Sequence, residues 1–228
     1  MILLQVVDSL QNVVNSVAEE PETLSFFELA IKGGWIMIVL AILSVVAVYI
    51  FIDKIIAIRK ASKDQSPFMN KIKDSIFAGK VGQALDLCRI TDAPLARMIE
   101  KGIMRIGRPL NDVNVAVENV GRQEIAKLEK GLPILASISG GAPMIGFLGT
   151  VMGMVRAFYD MANAGNNLNV GLLSNGIYLA LVTTVGGLIV GIIAYFAYNI
   201  LVSKIDNLVA NLESKTTEFM DILNEPAK

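Results

Sequence analysis

Three stretches of the chain hold no charged residue: 33–52 (GGWIMIVLAILSVVAVYIFI), 131–155 and 161–203. Nothing else in the sequence limits the fold as much, because about 20 consecutive apolar residues in a helix cross the ~30 Å hydrocarbon core of a bilayer. The first two runs are long enough for one span each. The third has room for an approach segment, marked by the polar NAGNNLN of residues 163–169, and then a span. The expected architecture is an all-α membrane protein with three transmembrane helices, at 33–52, 132–155 and 174–202. The high apolar content, 54% against 18% charged residues, agrees with this.

Charge sets the expected orientation. Between Asp53 and Gly131 lie 15 of the 20 Lys and Arg residues, with Lys54, Arg59, Lys60 and Lys63 following the first span and Arg122, Lys127 and Lys130 preceding the second. The opposite flanks carry only Lys32 and Arg156. Cytoplasmic flanks concentrate Lys and Arg, so 53–131 and the tail 203–228 are expected inside, and 1–32 and the connection 156–173 outside. The same 53–131 segment carries 10 acids, so it has no nucleic-acid footprint.

Residues 1–32 hold five acids and one lysine, with no basic start and no small-residue cleavage site, and are expected to be retained. Ile2, Leu3, Val6, Val7, Leu10, Val13, Val14 and Val17 recur at helical spacing. This predicts an amphipathic helix lying either on the outer membrane surface or against the protein itself. Cys88, the single cysteine, is expected in a core, with neither a disulfide nor a thiolate metal cluster. No cofactor or metal site is expected anywhere in the chain.

The 53–131 segment reads as a small helical domain punctuated at Ser66-Pro67, at Gly79 and Gly82, at Asp92-Ala93-Pro94 and at Arg108-Pro109. From Val113 through Val117, Val120, Ile125, Leu128 and Leu132 the apolar spacing is helical with one phase slip, which predicts that the second span extends into the cytoplasm. Leu201, Ile205, Leu208, Leu212, Thr216, Phe219 and Leu223 follow at intervals of three and four, so the third span is expected to do likewise. A stripe of that kind needs a partner helix, and the extension of the second span is the expected one.

Within the spans the small residues stand in register. The second carries Ala142, Gly146, Gly149, Gly153 and Ala157, and the third Ala180, Thr184, Gly187, Gly191 and Ala194. Lipid supplies little drive for helices to associate, and small residues let backbones approach, so these two helices are expected to pack closely. Thr150 lies on the small face of one and Thr184 within the stripe of the other. Each hydroxyl either bonds back to the carbonyl four residues earlier or offers a polar contact in an otherwise dry wall. Thr183 is read as back-bonded and inert. No Asp, Glu, Lys, Arg or His falls inside any span. Proton and ion paths normally use such groups, so any proton pathway through this protein needs a titrating group from another chain.

These residues resemble the ExbB/TolQ/MotA family of proton-channel subunits in bacterial inner-membrane motors. The resemblance rests on Ala142-Pro143 and Gly149-Thr150-Val151-Met152-Gly153-Met154 in the second span. In the third it rests on Ala180-Leu181-Val182-Thr183-Thr184, Gly187-Leu188 and Tyr198-Asn199. Three spans and a large first cytoplasmic loop look like the ExbB and TolQ branches rather than the four-span MotA branch. The architecture is similar from about residue 24 to 223. The resemblance implies a homopentamer whose second and third spans line a pore, with Thr150 and Thr184 facing it and the small residues forming its wall. It further implies an ExbD- or TolR-like dimer of single-span chains that brings a membrane aspartate, a TonB-like protein driven by proton passage, and a place in the inner membrane among its lipids. Two positions depart from the family pattern: Leu179 stands where many relatives have glutamate, and Ile192-Ile193 where they have Ile-Pro. The departure at Leu179 points again to the partner's acid.

Three function classes follow. The first is a subunit that uses the proton-motive force to energise TonB-dependent transport, with a TolQ-like role in outer-membrane maintenance as its close variant. The extended N-terminus favours the ExbB branch. The second is a non-conducting oligomeric scaffold. The third, a membrane enzyme, is disfavoured because no nucleophile–base pair or paired intramembrane carboxylates are present.

Overall fold

The computed structural model describes residues 34–62, 66–163 and 170–224. The amphipathic stretch expected within 1–32 and most of the polar NAGNNLN patch lie outside the described residues. All described regular structure is helical: α1 (Gly34–Ala61), α2 (Ser66–Phe77), α3 (Val81–Ile90), α4 (Pro94–Ile103), α5 (Leu110–Glu129), α6 (Leu132–Asn163) and α7 (Val170–Asn224). Of these, α1, the α5–α6 pair and α7 are long and apolar enough to cross a membrane. α7 alone, at 55 residues, is about 80 Å long at 1.5 Å per residue.

The turns follow from residues that suit them. Gly79 (φ +68°) closes α2 and Gly107 (φ +92°) lies in the turn before α5, both in the left-handed region that glycine enters without strain. Gly82, expected to interrupt a helix, instead sits in the first turn of α3. Pro94 opens α4, where its missing N–H has no intrahelical partner to lose. Between α5 and α6 the helix breaks at Lys130 and Gly131, the latter at φ +101°.

Below the spans, α7 presents Leu201, Ile205, Leu208, Leu212, Thr216 and Phe219 as a continuous buried stripe, with Ile222 rather than Leu223 closing it. It packs against α5 as expected, and α7 also contacts α4, α2 and α1. Phe219 is fully buried against Gly102 of α4, where an added Cβ would lie 2.5 Å from its ring. On α5 the buried positions are Val113, Ala116, Val117, Gly121, Glu124 and Leu128. The phase slip read between Val120 and Ile125 disappears once Gly121 and Glu124 are counted as core.

Glu124 is tolerated there because it is paired. Its two oxygens accept bonds from Arg97 Nη2 and Lys127 Nζ, each at 2.6 Å, while Arg97 Nη1 reaches Asp92 at 2.8 Å. Lys60, near the end of α1, donates to the same Asp92 at 2.5 Å. A chain of charges therefore ties α1, α4 and α5 together. Burial pushes the Glu124 carboxyl up, but the bonds from Arg97 and Lys127 outweigh it and hold the group below its usual range. Cys88 is buried as expected, and burial followed by the Glu100 carboxylate pushes its thiol up to about 12. A protonated, enclosed thiol is a poor nucleophile.

Candidate functional site

α6 and α7 run antiparallel and touch through backbone. A Cβ placed on Gly187 would stand 2.6 Å from the Ala142 carbonyl oxygen and 2.8 Å from Gly146 Cα. One on Gly146 would stand 2.8 Å from the Thr183 carbonyl oxygen, and one on Gly153 3.1 Å from that of Gly176. At the lower end, Gly191 faces the ring of Pro143, whose Cγ a Cβ would approach to 2.5 Å, and the Ser139 carbonyl at 3.0 Å. Pro143 has no N–H to give that carbonyl, so the close approach of α7 lies next to the one rung missing from the α6 ladder. Carbonyls set against glycine Cα groups suit weak Cα–H···O contacts, which compensate in part for the scarcity of side chains.

All the small residues singled out in the sequence lie along this contact. Ala142, Gly146, Gly149 and Ala157 of α6 are buried, as are Ala180 and Ala194 of α7. Gly176, one step of four before Ala180, was not singled out, yet Ala157 of α6 lies directly against it. Extending the stripe by one interval would have found it.

Thr150 and Thr184 come together across this interface. Their hydroxyls are hydrogen-bonded to each other. Thr150 Oγ1 also lies 3.3 Å from the Ala180 carbonyl and 3.4 Å from that of Gly146, and Thr184 Oγ1 3.2 Å from that of Gly146. Both side chains are half-buried. The two readings of these threonines therefore meet: the back-bond to Gly146 exists for Thr150, but it is long, and the shorter contacts cross to the other helix. Thr183, read as inert, is only 2% exposed and donates to Ala180 at 2.8 Å, three residues back. It fills the space in front of Gly149 and so acts as a packing residue of the interface.

The side of α7 on which Thr184 lies is set by α1. A Cβ on Gly186 would meet Met37 Sδ at 3.1 Å and Leu40 Cδ1 at 3.7 Å, so α1 covers that face. Thr184 is two residues earlier, about 200° round the helix. Its open edge thus faces away from α1, along with exposed Leu181, Leu188, Ile192 and Tyr195. Leu179, half-buried, lies near the start of α7. Among the described residues no group of His, Cys, Asp and Glu is arranged to hold a metal ion.

Comparison with known proteins agrees with this architecture. Residues 90–214, more than half of the chain, match the MotA/TolQ/ExbB proton channel family. Similar proteins include the biopolymer transport protein ExbB of Neisseria meningitidis, 26% identical over 73% of this chain and 80% of the relative. An ExbB homolog of Methanothermobacter thermautotrophicus is 29% identical over 80% of this chain, which spans 64% of that longer protein. The Tol-Pal system protein TolQ of Haemophilus influenzae is 34% identical over 60% of this chain and 54% of its own length. By its three long apolar helices, its glycine-lined antiparallel pair and the match across residues 90–214, the chain belongs to the MotA/TolQ/ExbB proton channel family.

Proposed function

We propose that this chain is the ExbB-type subunit of an inner-membrane motor, with 53–131 and the tail in the cytoplasm and the N-terminus in the periplasm. Five copies enclose an ExbD- or TolR-like dimer, and the proton-motive force energises a TonB-like protein for transport across the outer membrane. The observation that carries this reading is the pair of hydroxyls, Thr150 and Thr184, hydrogen-bonded to each other on the side of α6 and α7 that α1 leaves open. That open side becomes the pore wall when copies assemble, and α1 is turned to the lipid.

The pair suits a carboxyl group that gains and loses a proton. Each hydroxyl has one proton and two lone pairs. With one proton in the bond between the two hydroxyls and the other held on the Gly146 or Ala180 carbonyl, a lone pair is left to accept a bond from the partner's protonated acid. When that acid ionises, the hydroxyls turn and donate to the carboxylate instead. No acid or base of this chain lies within its three spans, so the titrating group is the partner's aspartate.

Thr→Val keeps the volume and removes the hydroxyl. A buried charged acceptor left without its donor costs more than the ~1–3 kcal/mol of a neutral one. T150V and T184V are expected to assemble normally and to lose most proton flux in liposomes containing the partner. T217V, on the exposed side of α7 with its hydroxyl on Glu213, is the silent control. Full flux in the T150V/T184V double variant would leave the internal carbonyl bonds as the whole role of these hydroxyls and favour the scaffold. A TolQ-type assignment with the same chemistry is the second reading, because relatives of both names match the chain. Loss of outer-membrane integrity on deletion, with iron uptake unaffected, would select it.

A further inference from the structure

We infer that the break between α5 and α6 is a binding site for an anionic phospholipid, its headgroup on Lys127 and Lys130 and its glycerol and first methylenes on Ala126, Gly131 and Pro133. The break opens a surface cavity of about 670 Å³ lined by these residues with Gln123 and Glu129. Its depth is fixed by three independent markers. The uncharged run of α1 ends at Ile52 and that of α6 begins at Gly131. A Cβ on Gly131 would lie 3.5 Å from Ile50 Cγ2 and 3.7 Å from Lys54 Cε, so these two boundaries are side by side. Across α6 and α7, Gly146 faces Gly187 and Gly153 faces Ala180, both pairs summing to 333; the same register sets Gly131 level with residue 202, where the third uncharged run ends at Ser203. The cavity therefore sits where acyl chains give way to headgroups. This holds whichever side of the bilayer that boundary faces, and the leaflet follows the orientation proposed above.

The lining divides as a lipid does. Ala126, Gly131 and Pro133 are apolar, and Pro133 has no N–H to leave unsatisfied beside a hydrocarbon chain. Lys130 is exposed and makes no ion pair among the described residues. Lys127 shares its ammonium with Glu124 at 2.6 Å, and Lys54 adds a third positive charge while donating to the Lys127 carbonyl at 3.3 Å. Against these stand Glu129 on the rim, Asp53 at 3.7 Å from Lys54, and Glu124 beneath Lys127. Lys54 and Lys127 already have acids beside them, so Lys130 is the cation left to meet a headgroup phosphate, and a headgroup with no ammonium of its own leaves that contact uncontested.

The test uses the purified full-length assembly, titrated with phosphatidylglycerol, phosphatidylethanolamine or phosphatidylcholine and read by native mass spectrometry. Phosphatidylglycerol is expected to be retained preferentially. Each lysine lost near a membrane surface weakens an anionic contact about fivefold. K127Q/K130Q is therefore expected to lower retention on the order of tenfold or more, with the helical circular-dichroism signal unchanged. A126W, which fills the cavity and keeps every charge, is expected to lower it as well. Equal retention of the three lipids, unchanged retention in either variant, or an equal loss from K71Q/K73Q on the remote α2 would each overturn the site.

Discussion

The α6/α7 pair inside the membrane and the α4/α5/α7 bundle below it both bring glycines into close contact, but the neighbours differ in kind. In the membrane, Gly146 and Gly187 face carbonyl oxygens and Cα atoms of the opposite helix. Below it, Gly102 faces the Phe219 ring and Gly121 the end of the Met98 side chain. Burying large apolar groups stabilises helix packing in water, where the hydrophobic effect acts. Among lipid tails that drive is absent, and backbone proximity and polar contacts take its place. The same residue type therefore marks a rigid contact in one region and a yielding one in the other. Charge follows the same division, since the bundle ties its helices with Lys60, Asp92, Arg97, Glu124 and Lys127, and the spans use two hydroxyls.

The largest effect is expected from Gly187→Leu. Its side chain meets backbone at 2.6–3.1 Å that cannot yield without moving a helix, so the cost falls at or above the top of the ~1–3 kcal/mol range for overpacking. Loss of the homo-oligomer in detergent, measured by native mass, is the expected result. An oligomer of unchanged mass and melting temperature would erase the distinction between the two regions.

Next comes Glu124→Gln, which leaves Arg97 and Lys127 without their shared carboxylate and is expected to destabilise by about 1–2 kcal/mol. The folded pKa of Glu124 is depressed below 4.5, so the unfolded chain takes up the proton first as pH falls. The stability from this carboxylate is thus present above about pH 4.5 and lost as pH drops through the lower folded value. Unfolding curves of the native chain and the variant should converge on the acid side and separate at neutral pH. A constant gap would remove the ion network as a feature of the bundle.

Gly102→Ala is expected to cost about 1 kcal/mol, the Phe219 contact being partly offset by better helix propensity. Gly121→Ala should fall within about 0.5 kcal/mol of zero, because the unbranched Met98 side chain swings aside. Denaturant midpoints of both variants order the yielding contacts against the rigid one. A Gly121→Ala cost equal to that of Gly187→Leu would contradict the comparison.

Several parts of the molecule were legible from residue order. Leu201, Ile205, Leu208, Leu212, Thr216 and Phe219 are buried as their spacing implied, because a helix repeats its face every three or four residues wherever it packs. The small stripes were legible for the same reason. Gly121 and Glu124 were not, since a pattern read from apolar side chains passes over a glycine that makes room and a carboxylate that is buried only because two cations reach it. Thr183 does bond back to a carbonyl of its own helix, as read, but its enclosure by Gly149 was not legible, because burial depends on the opposite helix.

By itself the sequence determined the number of apolar helices, the asymmetry of charge about them and the faces that must be covered, since each depends on local composition and on the periodicity of one helix. Only the tertiary structure decided what those faces meet. It set Thr150 of α6 beside Thr184 of α7, turned both away from α1 and brought Gly131 level with Ile50. These relations depend on the register between helices far apart in the chain, which is set by the summed fit of many small contacts, and no single segment encodes that fit.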